Sequence, residues 1–151
     1  MNILAFDPGR TTGACLIDAN KDGFQVIRLL EIPWSSRFGM TKALVNGKFS
    51  LSPNEKPQFP VAIVVESFTL RRGRAMQQSG SDFPSSQMIG TICAYAHACG
   101  ILSVVHYQQP AMMARVKVLD QHASLVAGSE HKKDAYKHAR YYYVTHRTLF
   151  E

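Results

Sequence analysis

Residues Val61 to Glu66 read VAIVVE, five apolar residues, mostly β-branched, closed by an acid. A run without polar alternation marks a strand buried on both faces, so the chain needs further strands on either side of it and layers above and below. The glutamate at its end leaves that apolar environment and has to be solvated, paired or bound to a metal.

The rest of the chain supplies the partners. Asn2 to Phe6 is a second short apolar run, stopped by Asp7, Pro8 and Gly9. Gly13 to Asp18 reads as another strand, and Asn20 to Gly23 makes a hairpin into a third from Phe24 to Ile32. Short turns make these three antiparallel. Ser35 to Lys48 is ambiguous, with room for a helical turn or two, and Ser50 to Pro60 holds three prolines and reads as a loop. Ser85 or Ser86 can cap a helix running to about Cys99, with Met88, Ile89, Ile92, Cys93, Tyr95 and Ala96 on one apolar face and Gly100 as its stop. Ile101 to Tyr107 is a fifth strand, Pro110 opens a helix to about Val118, and Ser129 or Glu130 starts a last helix through HKKDAYKHARYYYVTH. A three-strand meander feeding a βαβ unit is a mixed sheet with helices on its faces.

The chain has 151 residues, 46% of them hydrophobic, which is enough for a core without staples and excludes disordered and collagen-like classes. Cys15, Cys93 and Cys99 are an odd number with no CxxC or CxxH spacing; they read as core residues in a reducing compartment, not as a disulfide framework or a zinc site. No apolar run approaches the ~20 residues of a membrane span, so a soluble, intracellular protein with no targeting segment is expected. The formal charge is +6. It is uneven: residues 1–66 carry seven basic and six acidic side chains, and residues 67–151 ten and five. The second half is the anion-facing part, which points to nucleic acid or an acidic surface.

Acids at strand ends carry the chemistry. Asp7 closes the first strand and Glu66 the fourth. If these two strands lie side by side and parallel, both carboxylates emerge at one carboxyl edge, where sites of open α/β sheets are found. Asp134 falls in the first turn of the last helix with His131 one turn before it, on the same face. Each has a plainer explanation: an Asp before Pro-Gly suits a turn, and an acid near a helix start suits the dipole. Taken together they form a set of hard oxygen donors with one imidazole, which suits Mg²⁺ or Mn²⁺ better than zinc. Two such ions can activate a water and stabilise a leaving oxygen in phosphodiester displacement, so a basic protein with that site would be a nuclease.

The segments FDPGRTTGACLID, VVES and HKKDAYKHARYY resemble the RuvC-type Holliday junction resolvases of the RNase H-like nuclease superfamily, in the short versions found in phages. The family's first motif matches Asp7 to Gly13, its strand-four glutamate matches Glu66, and the metal-facing pair of its last helix, followed by Ala, matches His131, Asp134 and Ala135. The resemblance implies one RNase H-like domain over residues 1–151, with a five-stranded sheet in the order 3-2-1-4-5. It also implies a homodimer, two Mg²⁺ per active site with Mn²⁺ able to substitute, and paired symmetric nicks across a four-way junction in the cytoplasm of a bacterial or phage-infected cell. Two regions depart from the family. Ser67 to Ser85 is longer and richer in arginine, and Pro110 to Glu130 lacks a clear version of the family's lysine and glycine pattern.

On this reading Asp7, Glu66 and Asp134 hold metal, and His131 is a ligand or orients the attacking water. Arg10 lies beside the scissile phosphate, Phe68 stacks on a base at an opened junction centre, and Arg71, Arg72 and Arg74 grip backbone. Lys117, Lys132, Lys133 and Lys137 are candidate phosphate contacts, although solvated helix faces are the default for such lysines. Tyr141, Tyr142 and Tyr143 read as packing residues. The helix from Ser86 to Cys99 is the expected dimer interface, through Met88, Ala94 and Ala98. Three rivals remain open: a related nuclease of the YqgF type acting on structured RNA, flaps or branched DNA, a nucleotide-binding domain of the actin and Hsp70 type, and a junction binder that does not cut.

Overall fold

In the computed structural model, residues 1–48, 57–67, 83–101, 105–109 and 128–151 are described. Five strands form one sheet in the order β3-β2-β1-β4-β5: β1 is Asn2–Asp7, β2 Thr11–Asn20, β3 Gly23–Pro33, β4 Ala62–Glu66 and β5 Val105–Gln108. The first three strands are an antiparallel meander, and β4 runs parallel to both β1 and β5. The expected order holds. Of the predicted fifth strand, Ile101 lies outside the strand, 102–104 fall outside the described residues, and the pairing extends one residue further, to Gln108.

Alternation along β1 and β4 sorts their side chains into two layers. Ile3, Ala5, Ala62 and Val64 face α3, the helix Glu130–Thr145, through its Ala135, Tyr136, Ala139, Tyr142 and Tyr143. Leu4, Phe6, Ile63 and Val65 face α1, Arg37–Val45, and α2, Pro84–Ala98, through Leu44, Val45, Met88, Ile92 and Ala96. Both strands are thus covered on both faces, as their unbroken apolar composition requires. Ala135 and Ala139 are one helical turn apart and fully buried, which lets α3 lie close against the sheet.

The ambiguous stretch from Ser35 is a short 3₁₀ turn, Trp34–Ser36, leading into α1. The α2 helix starts earlier than a serine cap would place it: Phe83 is the N-cap and Pro84 the first helical residue, because proline's fixed φ is already helical and it has no N–H to leave unsatisfied. Its stop is as expected, with Gly100 at φ 71° donating its N–H to the His97 carbonyl. Met88, expected on the outer side of α2, is fully buried, and the exposed residues of the helix are Ser86, Gln87, Gly90, Ala94, His97 and Ala98. Cys15 is a buried core residue whose thiol burial pushes up to about 12, and all three cysteines are free. The expected helix from Pro110 to Val118 lies outside the described residues. Among the described residues no helix is long and apolar enough to cross a membrane.

Candidate active site

The parallel pairing of β1 with β4 ends at Phe6 opposite Val65, so the next residues, Asp7 and Glu66, sit side by side at the carboxyl edge of the sheet. Gln108 of β5 stands opposite Glu66 on its other side. The turn after Asp7 is braced by Thr12, a buried residue whose hydroxyl accepts from the Gly9 N–H at 3.2 Å and lies 3.1 Å from the Gly9 carbonyl. Arg10 is exposed on that turn.

The last helix brings the other two residues. Ser129 caps it, accepting from the Lys132 N–H, and the same hydroxyl donates to Glu31 on β3. Glu31 is the register partner of Gly13, and Gly13 in turn is the partner of Asp7. A Cβ built on Gly13 would lie 1.9 Å from the carbonyl oxygen of His131, so only glycine lets the first turn of α3 descend onto the sheet beside Asp7. His131 Nδ1 then stands 3.0 Å from Asp7 Oδ2. The side chains form a graded cleft: Asp7 is 14% exposed, Glu66 27%, Asp134 38% and His131 49%.

Burial pushes the Asp7 carboxyl up from its ordinary 3.8 to about 6; the His131 hydrogen bond opposes the rise, and the negative charges of Glu66 and Asp134 add to it. That electrostatic coupling means the three acids share one field. Asp134 is held by Lys137 at 2.8 Å, one turn further along α3. Glu66 is held by His138, whose Nε2 is 2.8 Å from Oε2.

Sequence reasoning missed His138. It is fully buried and lies four residues after Asp134 and seven after His131, the spacing of a single helix face, which was the available signal. Gln108 was missed as well, since its part depends on the pairing of β4 with β5. Of the lysines proposed for phosphate, Lys133 pairs with Glu130 at 3.1 Å and Lys137 with Asp134, while Lys132 is half-buried in the first turn of α3. Phe68, Arg71, Arg72, Arg74 and Lys117 lie outside the described residues. Tyr142 and Tyr143 are buried packing residues, as expected, and Tyr143 also donates to the Asn20 carbonyl at 3.1 Å.

Among the described residues no three His, Cys, Asp or Glu side chains stand in a ready metal-ligating arrangement. The donor types nevertheless fit a divalent cation: Asp7 and Glu66 at the sheet edge and Asp134 on α3 are hard oxygen donors, and Asp7, destabilised by burial and by the charges of the other two, calls for a positive counter-charge.

A five-stranded mixed sheet in this order, flanked by helices and carrying acids at its carboxyl edge, is the RNase H-like architecture. Within it, the chain shares the fold of RuvC. RuvC of T. thermophilus, solved in complex with a Holliday junction substrate, superposes with a TM-score of 0.66 at 15% identity, over 97% of this chain and 98% of that one. The Fowlpox virus resolvase, solved with Holliday junction DNA, superposes with a TM-score of 0.54 at 12% identity over the whole of both chains. No protein-family model and no curated protein sequence matches the chain.

Proposed function

We propose that this protein is a structure-selective endodeoxyribonuclease that resolves four-way DNA junctions by paired, symmetric nicks. The observation that carries the proposal is the pairing of Asp7 and Glu66 at one sheet edge, with Asp134 of α3 near enough to bear on the Asp7 charge and His131 hydrogen-bonded to Asp7, in the fold of RuvC. The two neighbours solved with junction DNA and the excess of basic residues after position 66 support the choice of substrate.

In this reading Asp7, Glu66 and Asp134 hold Mg²⁺, two ions per site, with Mn²⁺ as a substitute. Bound divalent ions supply Lewis acidity at the scissile phosphate and a nucleophilic water near neutral pH. His131 orients that water or completes the ligand set, and at 49% exposure it can reach solvent from the rim. Lys137 pairs with Asp134 at 2.8 Å, a cationic partner that a bound metal would have to displace or share. Arg10, on the exposed turn after β1, meets the phosphate backbone, as do Lys132, Lys133 and the arginines at 71, 72 and 74. Phe68 stacks on an unpaired base. Two copies pair through the exposed side of α2, where Ala94 and Ala98 lie among Ser86, Gln87, Gly90 and His97, and the twofold sets two sites on one junction.

The test is cleavage of a four-way junction, a flap, a linear duplex and a structured RNA side by side, with Mg²⁺ and with chelator. Metal-dependent paired nicks on the junction are expected, with D7N binding but not cutting. Equal cutting of linear duplex refutes junction selectivity, preferred cutting of the RNA favours the YqgF-type reading, and retained cutting by D7N refutes the site.

A further inference from the structure

We infer that His138 is a positioning residue that holds one oxygen of Glu66 from inside the protein and so sets the direction in which the carboxylate meets metal. The inference rests on the reading of Glu66 as a metal-holding group.

His138 is completely buried in the middle of α3, between the packing residues Ala135 and Tyr142. Both ring nitrogens are engaged: Nε2 lies 2.8 Å from Glu66 Oε2 and Nδ1 lies 3.0 Å from the side-chain oxygen Oε1 of Gln108. Nε2–H donates to the carboxylate, and Nδ1 either donates to Gln108 Oε1 or, with the amide turned over, accepts from its NH₂; in both arrangements Nε2 carries the hydrogen that meets Glu66. Gln108 is itself buried and fixed: it is opposite Glu66 in the β4–β5 register, and its carbonyl accepts from the Ser67 N–H at 2.7 Å. The chain of contacts therefore runs from the backbone of β5 through Gln108 and His138 to Glu66.

Glutamate has three side-chain torsions, and Glu66 sits at the last position of its strand, where nothing in the ladder orients it. A buried donor with its own orientation locked selects one rotamer. Among the described residues no hydrogen bond reaches Glu66 Oε1, so the grip of His138 on Oε2 leaves the other oxygen for a ligand. Its neighbours on the buried side of α3, Ala135 and Ala139, are apolar members of the core, so packing alone does not call for an imidazole there.

The experiment measures Mn²⁺ binding to the full chain, without DNA, by the electron paramagnetic resonance signal of the free ion, alongside melting temperature and single-turnover junction cleavage. His138→Ala is expected to weaken Mn²⁺ binding about tenfold or more and to slow cleavage more than it weakens junction binding. His138→Gln, whose amide nitrogen reaches the place of Nε2, is expected to restore most of both, and His138→Asn, too short for Glu66, is not. In a Glu66→Gln background the His138→Ala change is expected to have no further effect on Mn²⁺ binding. Unchanged Mn²⁺ affinity in His138→Ala overturns the inference, as does equal impairment of the Gln and Asn variants, the mark of a purely structural role. If His138→Ala does not fold, the Gln and Asn pair decides alone. A parent protein that shows this dependence on His138 yet cuts no junction refutes the nuclease reading and leaves the positioning role standing.

Discussion

Replacing Asp7 by Asn is expected to make the metal-free protein more stable while abolishing its activity. Asp7 is 14% exposed, and its carboxyl is raised from 3.8 to about 6, first by burial and then by Glu66 and Asp134. A rise of that size corresponds to about 3 kcal/mol of cost for ionising the group in the folded state. Between pH 4 and 6 the folded protein retains a proton that the unfolded chain has released, so stability falls as pH rises through this window and levels off above it. Asparagine removes the charge and keeps an oxygen that can accept from His131, but that bond is weaker than one to a carboxylate, so the net gain at pH 7.5 is about 1–3 kcal/mol. For a chain of this size that is a melting temperature higher by about 3–10 °C in EDTA. Thermal scans of both proteins from pH 4 to 8 check it: the parent should lose stability towards pH 6 and the variant should stay flatter. Added Mg²⁺ should reverse the ranking, since it stabilises only the form that binds it. A variant no more stable than the parent in EDTA, or an unchanged pH slope, refutes the electrostatic account of the cleft.

Other substitutions test the scaffold and the surface. Gly13→Ala should cost about 1–3 kcal/mol by urea titration and weaken Mn²⁺ binding, because its methyl group displaces the His131 carbonyl and with it the first turn of α3. Glu66→Gln and Asp134→Asn should each abolish Mg²⁺-dependent cutting with junction affinity kept, as read by gel shift in Ca²⁺ or EDTA. Removing the charges of Arg71, Arg72 and Arg74 should weaken junction binding and flatten the slope of log affinity against log salt by about one for each phosphate no longer neutralised. An unchanged slope moves the DNA surface elsewhere. Introducing Glu at Ala94 on the exposed side of α2 should yield a monomer by analytical ultracentrifugation with the melting temperature little changed.

Local composition was enough to read the sheet and to single out half of the candidate site. Unbroken apolar runs in β1 and β4 can only be inner strands, and an acid that ends such a run has to lie at the sheet edge, so Asp7 and Glu66 were legible before any contact was known. The register of α3 was legible too, since His131 and Asp134 share a face by spacing alone. Whatever depends on two distant segments meeting came from the tertiary arrangement. His138 looks like one more histidine of a polar helix until the sheet beneath it is present, and Gln108 acquires its part only from the pairing of β5 with β4. Gly13 shows the same limit: its glycine-only role comes from the approach of a helix more than a hundred residues later. Periodicity reports which way a residue faces, and long-range packing alone reports what it faces. The charge of Asp7 is governed by that second quantity, because burial and neighbouring carboxylates, not its place in the chain, raise its affinity for a proton.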